Sequence, residues 1–120
     1  MAASVKDVEP TELWKGAKRW VLAVGKNVSL AIVEIDPKIA APHPVLKHDH
    51  EEIIYILGGT NKLEYPELGK EWIMKTGSAK LHDIGVGHKG GPVGDEKLYV
   101  LEVRAPPPKE IEVKWREKKS

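Results

Sequence analysis

The sequence predicts an all-β domain. Short segments rich in Ile, Val, Trp and Tyr recur along the chain, turn-forming clusters separate them, and no long run spaces its apolar residues three and four apart. In order, the strand candidates are residues 19–25 (RWVLAVG), 29–35 (SLAIVEI), 52–57 (EIIYIL), 70–75 (KEWIMK), 79–84 (AKLHDI), 97–103 (KLYVLEV) and 110–115 (EIEVKW). Between them lie Gly25-Lys26-Asn27, Asp36-Pro37, Gly58-Gly59-Thr60-Asn61, Thr76-Gly77-Ser78 and Pro106-Pro107-Pro108, whose residues fix φ or tolerate positive φ. Only residues 11–18 are read as a short helix. The spacing implies antiparallel sheets closed as a sandwich or barrel.

Two strands carry further information. Residues 110–115 alternate, with Ile111, Val113 and Trp115 on one face and Glu112, Lys114 and Arg116 on the other, which predicts an edge strand or one lying over the outside of a sheet. Residues 52–57 are apolar on both faces and should be central. The stretch YPELGKEW (residues 65–72) is a longer connection, either covering the mouth of the barrel or serving as an ordinary loop. The closing WREKKS reads as a solvated tail.

At 120 residues the chain fits one domain, since pieces of it would be too small to bury adequate cores. The absence of cysteine excludes disulfides, thiolate metal sites and cysteine nucleophiles, so any metal must be held by nitrogen and oxygen. A net charge of +1 with mixed signs gives no electrostatic footprint for nucleic acid or an anionic membrane. The acid-bearing N-terminus lacks the apolar core of a secretory signal, and no run reaches the roughly 20 apolar residues that span a bilayer. A soluble, cytoplasmic protein is expected. Charged residues at 31% and the lack of Phe suit a thermophile.

The stretch HDHEEIIYILGG, residues 48–59, holds the chemistry. A period of two places His48, His50 and Glu52 on one face, continued by Ile54 and Ile56, with Asp49 and Glu51 on the other. This describes a cavity wall that is polar at its mouth and apolar below. Imidazole and carboxylate together suit one divalent transition metal, iron, manganese, nickel or zinc. His88, in DIGVGHKGG, stands on a glycine-rich turn where backbone can approach a ligand closely. Histidines beside acids at a strand end are ordinarily a solvated, charge-matched face, so it is the combination with His88 that points to a site. His82 reads as a half-buried, hydrogen-bonded residue. Tyr55 reads as packing between sheets, and Trp14, Trp20, Trp72 and Trp115 as core or dimer contacts.

In these residues the chain resembles a small single-domain cupin, a double-stranded β-helix related to the jelly roll. The first motif of that family has the form G-x5-H-x-H-x3,4-E-x6-G, and Glu52 and Gly59 reproduce its E-x6-G portion. The second has the form G-x5-P-x-G-x2-H-x3-N; Gly85 and His88 reproduce its G-x2-H portion, and Gly77 opens the preceding strand. The resemblance covers about residues 19–104. Departures fall at the site: Leu46 stands where the first motif histidine belongs, Asp83 where the proline does and Pro92 where the asparagine does. Either His50 or His43 supplies the missing ligand, His43 through an insertion, or a shorter turn makes His48 and His50 the pair. The resemblance implies His48, Glu52 and His88 as metal ligands, with His50 and then His43 after them. It also implies a homodimer.

Two function classes follow. The first is a mononuclear metal-dependent cupin acting on a small organic molecule, a dioxygenase, isomerase or lyase, in which Glu51 or His50 serves as general base. The second is a non-enzymatic barrel that binds a small ligand. Metal-free sugar-nucleotide chemistry would need a phosphate-contacting arginine set, and only Arg19, Arg104 and Arg116 exist.

Overall fold

A computed structural model describes residues 2–117. Among them nine strands follow in chain order: β1 (Thr11–Trp14), β2 (Ala17–Val24), β3 (Ser29–Ile35), β4 (Glu51–Gly58), β5 (Thr60–Tyr65), β6 (Lys70–Lys75), β7 (Ala79–His82), β8 (Lys89–Pro92) and β9 (Leu98–Ala105). One 3₁₀ turn occupies Pro66–Leu68. The strands form two antiparallel sheets, one in the order β1-β2-β3-β9-β4-β7 and one in the order β6-β5-β8. Their inward residues make a single core. Val33 and Ile35 of β3, Ile54 and Ile56 of β4, and Leu98 and Val100 of β9 meet Leu63 and Tyr65 of β5 and Met74 of β6. Each such aliphatic side chain contributes about 1.5–3 kcal/mol by leaving water.

The alternation that builds this core also places the polar site. Ile56 pairs with Val100, Ile54 with Glu102 and Glu52 with Arg104, so the inward face of the β4–β9 pair turns from apolar to charged along its length. On the other side of β4, Glu52 pairs with His82 of β7. Three ionisable side chains therefore stand in one row across three strands at one end of the barrel.

Several elements differ from the sequence expectation. Residues 11–18 form β1, a turn and the start of β2 instead of a helix, because Gly16 takes φ +82° and Trp14 pairs back onto Ala17. Residues 110–115 are not a strand: Glu110 has φ +64°, and among the described residues the backbone pairing of the tail with the N-terminal segment is confined to a bridge between Val8 and Trp115. Residues 118–120 of the expected tail lie outside the described residues. β4 has neighbours on both sides, but its outer face is open, with Ile53, Tyr55 and Leu57 at 44, 40 and 42% exposure. Tyr55 thus does not pack between the sheets. Trp72 does join the core edge, its ring at 4.8 Å from that of Tyr65. Gly59, between β4 and β5, has φ +78°, and a Cβ there would lie 2.5 Å from the Lys97 carbonyl oxygen. Only glycine fits that approach of two backbones.

Candidate metal centre

Glu52 is 2% exposed, and a carboxylate so deep needs compensation. Arg104 supplies it, donating from Nε to Oε2 at 2.6 Å. The other oxygen, Oε1, faces His82 Nε2 at 3.5 Å and His48 Nε2 at 3.8 Å. Behind Arg104, Glu102 accepts from Arg19 Nε at 2.7 Å and Nη2 at 3.3 Å, and its Oε2 lies 3.5 Å from Arg104 Nη2.

Around Glu52 the imidazoles converge. His82 and His88 stack at 4.1 Å between ring centroids with 14° between their planes. His48 stands 4.9 Å from His88 and 4.7 Å from His50. The loop carrying His88 is fixed by a bridge to Leu46, with a 2.9 Å backbone hydrogen bond in each direction. Two overlapping triads result, Glu52–His82–His88 and His48–His50–Glu52, each with donor atoms within 4.8 Å of one another. Glu52, His48, His82 and His88, together with Leu46, Trp14 and Asn61, line a cavity of about 60 Å³.

Burial lowers the pKa of His43, His48, His82 and His88, and His82 falls furthest, to about 3. For His82 the neighbouring imidazoles of His88 and His48 add to the effect of burial. These rings are therefore neutral at physiological pH, with a lone pair each. Yet His48 Nε2, His50 Nε2 and His82 Nδ1 are buried without a hydrogen-bond partner among the described residues. Such an orphaned polar atom costs about 1–3 kcal/mol, a cost that a bound ion would remove. Neutral imidazoles around one carboxylate fit a divalent transition metal.

Of the candidate ligands, His48 lies 4.9 Å from His88 between ring centroids and 3.8 Å from the Glu52 carboxylate, and His50 stands beside His48 with its Nδ1 3.4 Å from exposed Asp49. His43 falls outside both triads: its ring meets Trp14 edge-on at 4.5 Å, and Nδ1 is engaged by the Pro44 carbonyl. Glu51 is exposed on the opposite face of β4, so the strand's period of two keeps it away from the cluster. His82 departs most from expectation. It is 5% exposed at the centre of the site, and Nδ1 has no partner among the described residues. Its role depends on the β4–β7 register, which no local pattern encodes. The same holds for Arg104 and Arg19.

No protein-family model matches the sequence, and comparison with curated proteins also finds no match. Solved structures do match. An RmlC-like cupin from Shewanella frigidimarina superposes with a TM-score of 0.77 at 16% identity, covering 91% of this chain and 93% of that one. KdgF from Halomonas sp. does so with 0.76 at 16% identity, covering 90% and 95%. An oxalate decarboxylase from Lactobacillus farciminis, in a formate complex, aligns with 0.70 at 28% identity, covering 84% of this chain but only 32% of the decarboxylase. Its two antiparallel sheets and these structural neighbours give the chain a cupin-type fold.

Proposed function

We propose that this cupin acts on a small organic molecule through one divalent transition ion, iron, manganese, nickel or zinc, held by Glu52, His82 and His88 and completed by His48. The observation that supports it is the buried triad, whose carboxylate and imidazole donor atoms lie within 4.8 Å of one another, while neighbouring ring nitrogens have no protein partner among the described residues. Bound there, such an ion would supply Lewis-acid chemistry towards a carbonyl or carboxylate or, if iron, chemistry with dioxygen. Arg104 fixes the Glu52 carboxylate, and His88 is held by its bridge to Leu46. Ile54, Leu63 and Leu98 exclude water from the inner end of the cavity. Because Glu51 faces outward, the role of general base passes to His50 at the rim. Structural neighbours that are enzymes by name, the oxalate decarboxylase and a polyketide cyclase from Streptomyces resistomycificus, support an enzymatic reading without fixing the reaction.

Elemental mass spectrometry on protein purified without added metal or chelator tests the ligand set. About one equivalent of a transition metal is expected in the wild type. His82→Ala and His88→Ala should weaken binding by more than the roughly 10–100-fold that loss of an outer-sphere partner costs, while Glu51→Gln keeps the ion. Retention in His82→Ala with loss in His50→Ala would move the ion to the outer triad. Wild-type protein that takes up no metal even after anaerobic reloading would leave the ligand-binding barrel as the reading.

The buried histidines also set a pH dependence. Their folded pKa values lie below the ordinary 6.5, so as pH falls from 6.5 the unfolded chain takes up protons that the folded chain refuses. Stability of the metal-free protein should therefore be fully present above pH 6.5 and decline towards pH ~5, a window above the carboxylate range. Melting temperatures that stay flat through this window would contradict neutral buried rings.

We infer further that the protein is a homodimer. Ile53, Tyr55, Leu57 and Leu81, at 40–47% exposure, form an apolar stripe on the outer face of β4 and β7 that a second copy would cover. Light scattering should return twice the 13.3 kDa chain mass, and a monomer at micromolar concentration would refute the pairing.

A further inference from the structure

The cavity is lined by two ionised side chains of each sign, Glu52 and Glu102 against Arg19 and Arg104. They form one continuous chain of ion pairs. Arg104 Nε is 2.6 Å from Glu52, Arg104 Nη2 is 3.5 Å from Glu102, and Arg19 Nε is 2.7 Å from Glu102. Glu52, Glu102 and Arg104 are all at 9% exposure or less, so solvent does little to screen the chain. Its net charge is zero.

This balance has a consequence for a bound ion. Imidazoles ligate through lone pairs and bring no charge. Glu52 is the only carboxylate in either triad, and its charge is already matched by Arg104. A divalent ion placed beside it leaves the pocket with close to two uncompensated positive charges, in surroundings where an unpaired charge is costly. A neutral alcohol, amide or sugar offers nothing to offset them, whereas an anion does.

We propose that the site takes a small carboxylate anion as its ligand, bound together with the metal ion; this rests on the metal reading above. Size agrees with charge. A water needs about 10–15 Å³ of such space, so a cavity of about 60 Å³ holds a carboxylate with only a few further atoms. A longer acid would extend into the adjoining groove of about 300 Å³, which shares Trp14 and His43 with the cavity. By linkage, ion and anion raise each other's affinity by the same factor.

Acetate and its neutral isostere acetamide separate charge from shape. Metal-stripped full-length protein is titrated with cobalt(II) against a chromophoric chelator, at ionic strength matched with sodium perchlorate, in the presence of either compound or neither. Acetate should tighten cobalt binding by about 5- to 150-fold, and acetamide should leave it unchanged. Arg104→Gln releases the charge of Glu52, so it should bind cobalt more tightly without acetate and show a smaller acetate effect. Should that variant not fold, the wild-type comparison decides alone. Equal cobalt affinity in acetate and acetamide would overturn the carboxylate assignment and leave the metal reading standing. Failure to bind cobalt in any buffer would instead overturn the metal reading, and this inference with it.

Discussion

The ion pair between Glu52 and Arg104, 2.6 Å long and buried at the seam of β4 and β9, is the constraint on which the site depends. A carboxylate at that depth is tolerated only when matched, and the match fixes which oxygen remains available. Oε2 is committed to the guanidinium, so Oε1 is left facing His82 and His48. Antiparallel register does the rest. Because Glu52 pairs with Arg104 on one side and His82 on the other, a single slip in either ladder would turn one of the three out of the barrel.

The fold was legible in the sequence where period-two alternation met strong turn signals. Residues 29–35 and 70–75 match β3 and β6, and β4 differs from its expected bounds by one residue at each end. Strands with weak apolar character escaped. β5 (TNKLEY) turns Asn61, Leu63 and Tyr65 inward but has a polar appearance, and β8 (KGGP) is nearly all glycine and proline, so it reads as a turn. The alternation of residues 110–115 was real as a pattern but had no partner ladder, since the chain there crosses a left-handed Glu110 and touches Val8 at one bridge.

At the site, the sequence exposed what lies along one strand and hid what crosses between strands. His48, His50 and Glu52 are neighbours in sequence, and the glycine loop singled out His88. His82 looked ordinary because its local context holds only a short strand; its neighbours are set by pairing with Glu52 and stacking on His88. Leu46 occupies the place where the resemblance puts a first histidine, and it lines the cavity opposite His88. An imidazole reaches the cluster from β7 instead. Glu51 shows the converse, since adjacency in sequence placed it near the cluster while the pleat sends it to the other face.

These relations make one claim central: that the ion is held by Glu52 with His82 and His88, deep in the barrel. Anomalous diffraction at the cobalt absorption edge, from crystals of cobalt-loaded protein, tests it most directly. The account predicts a single strong peak roughly 2.0–2.2 Å from a Glu52 oxygen and from ring nitrogens of both His82 and His88. A peak bonded to His48 and His50 with His82 left free, or peaks confined to the surface, would contradict it.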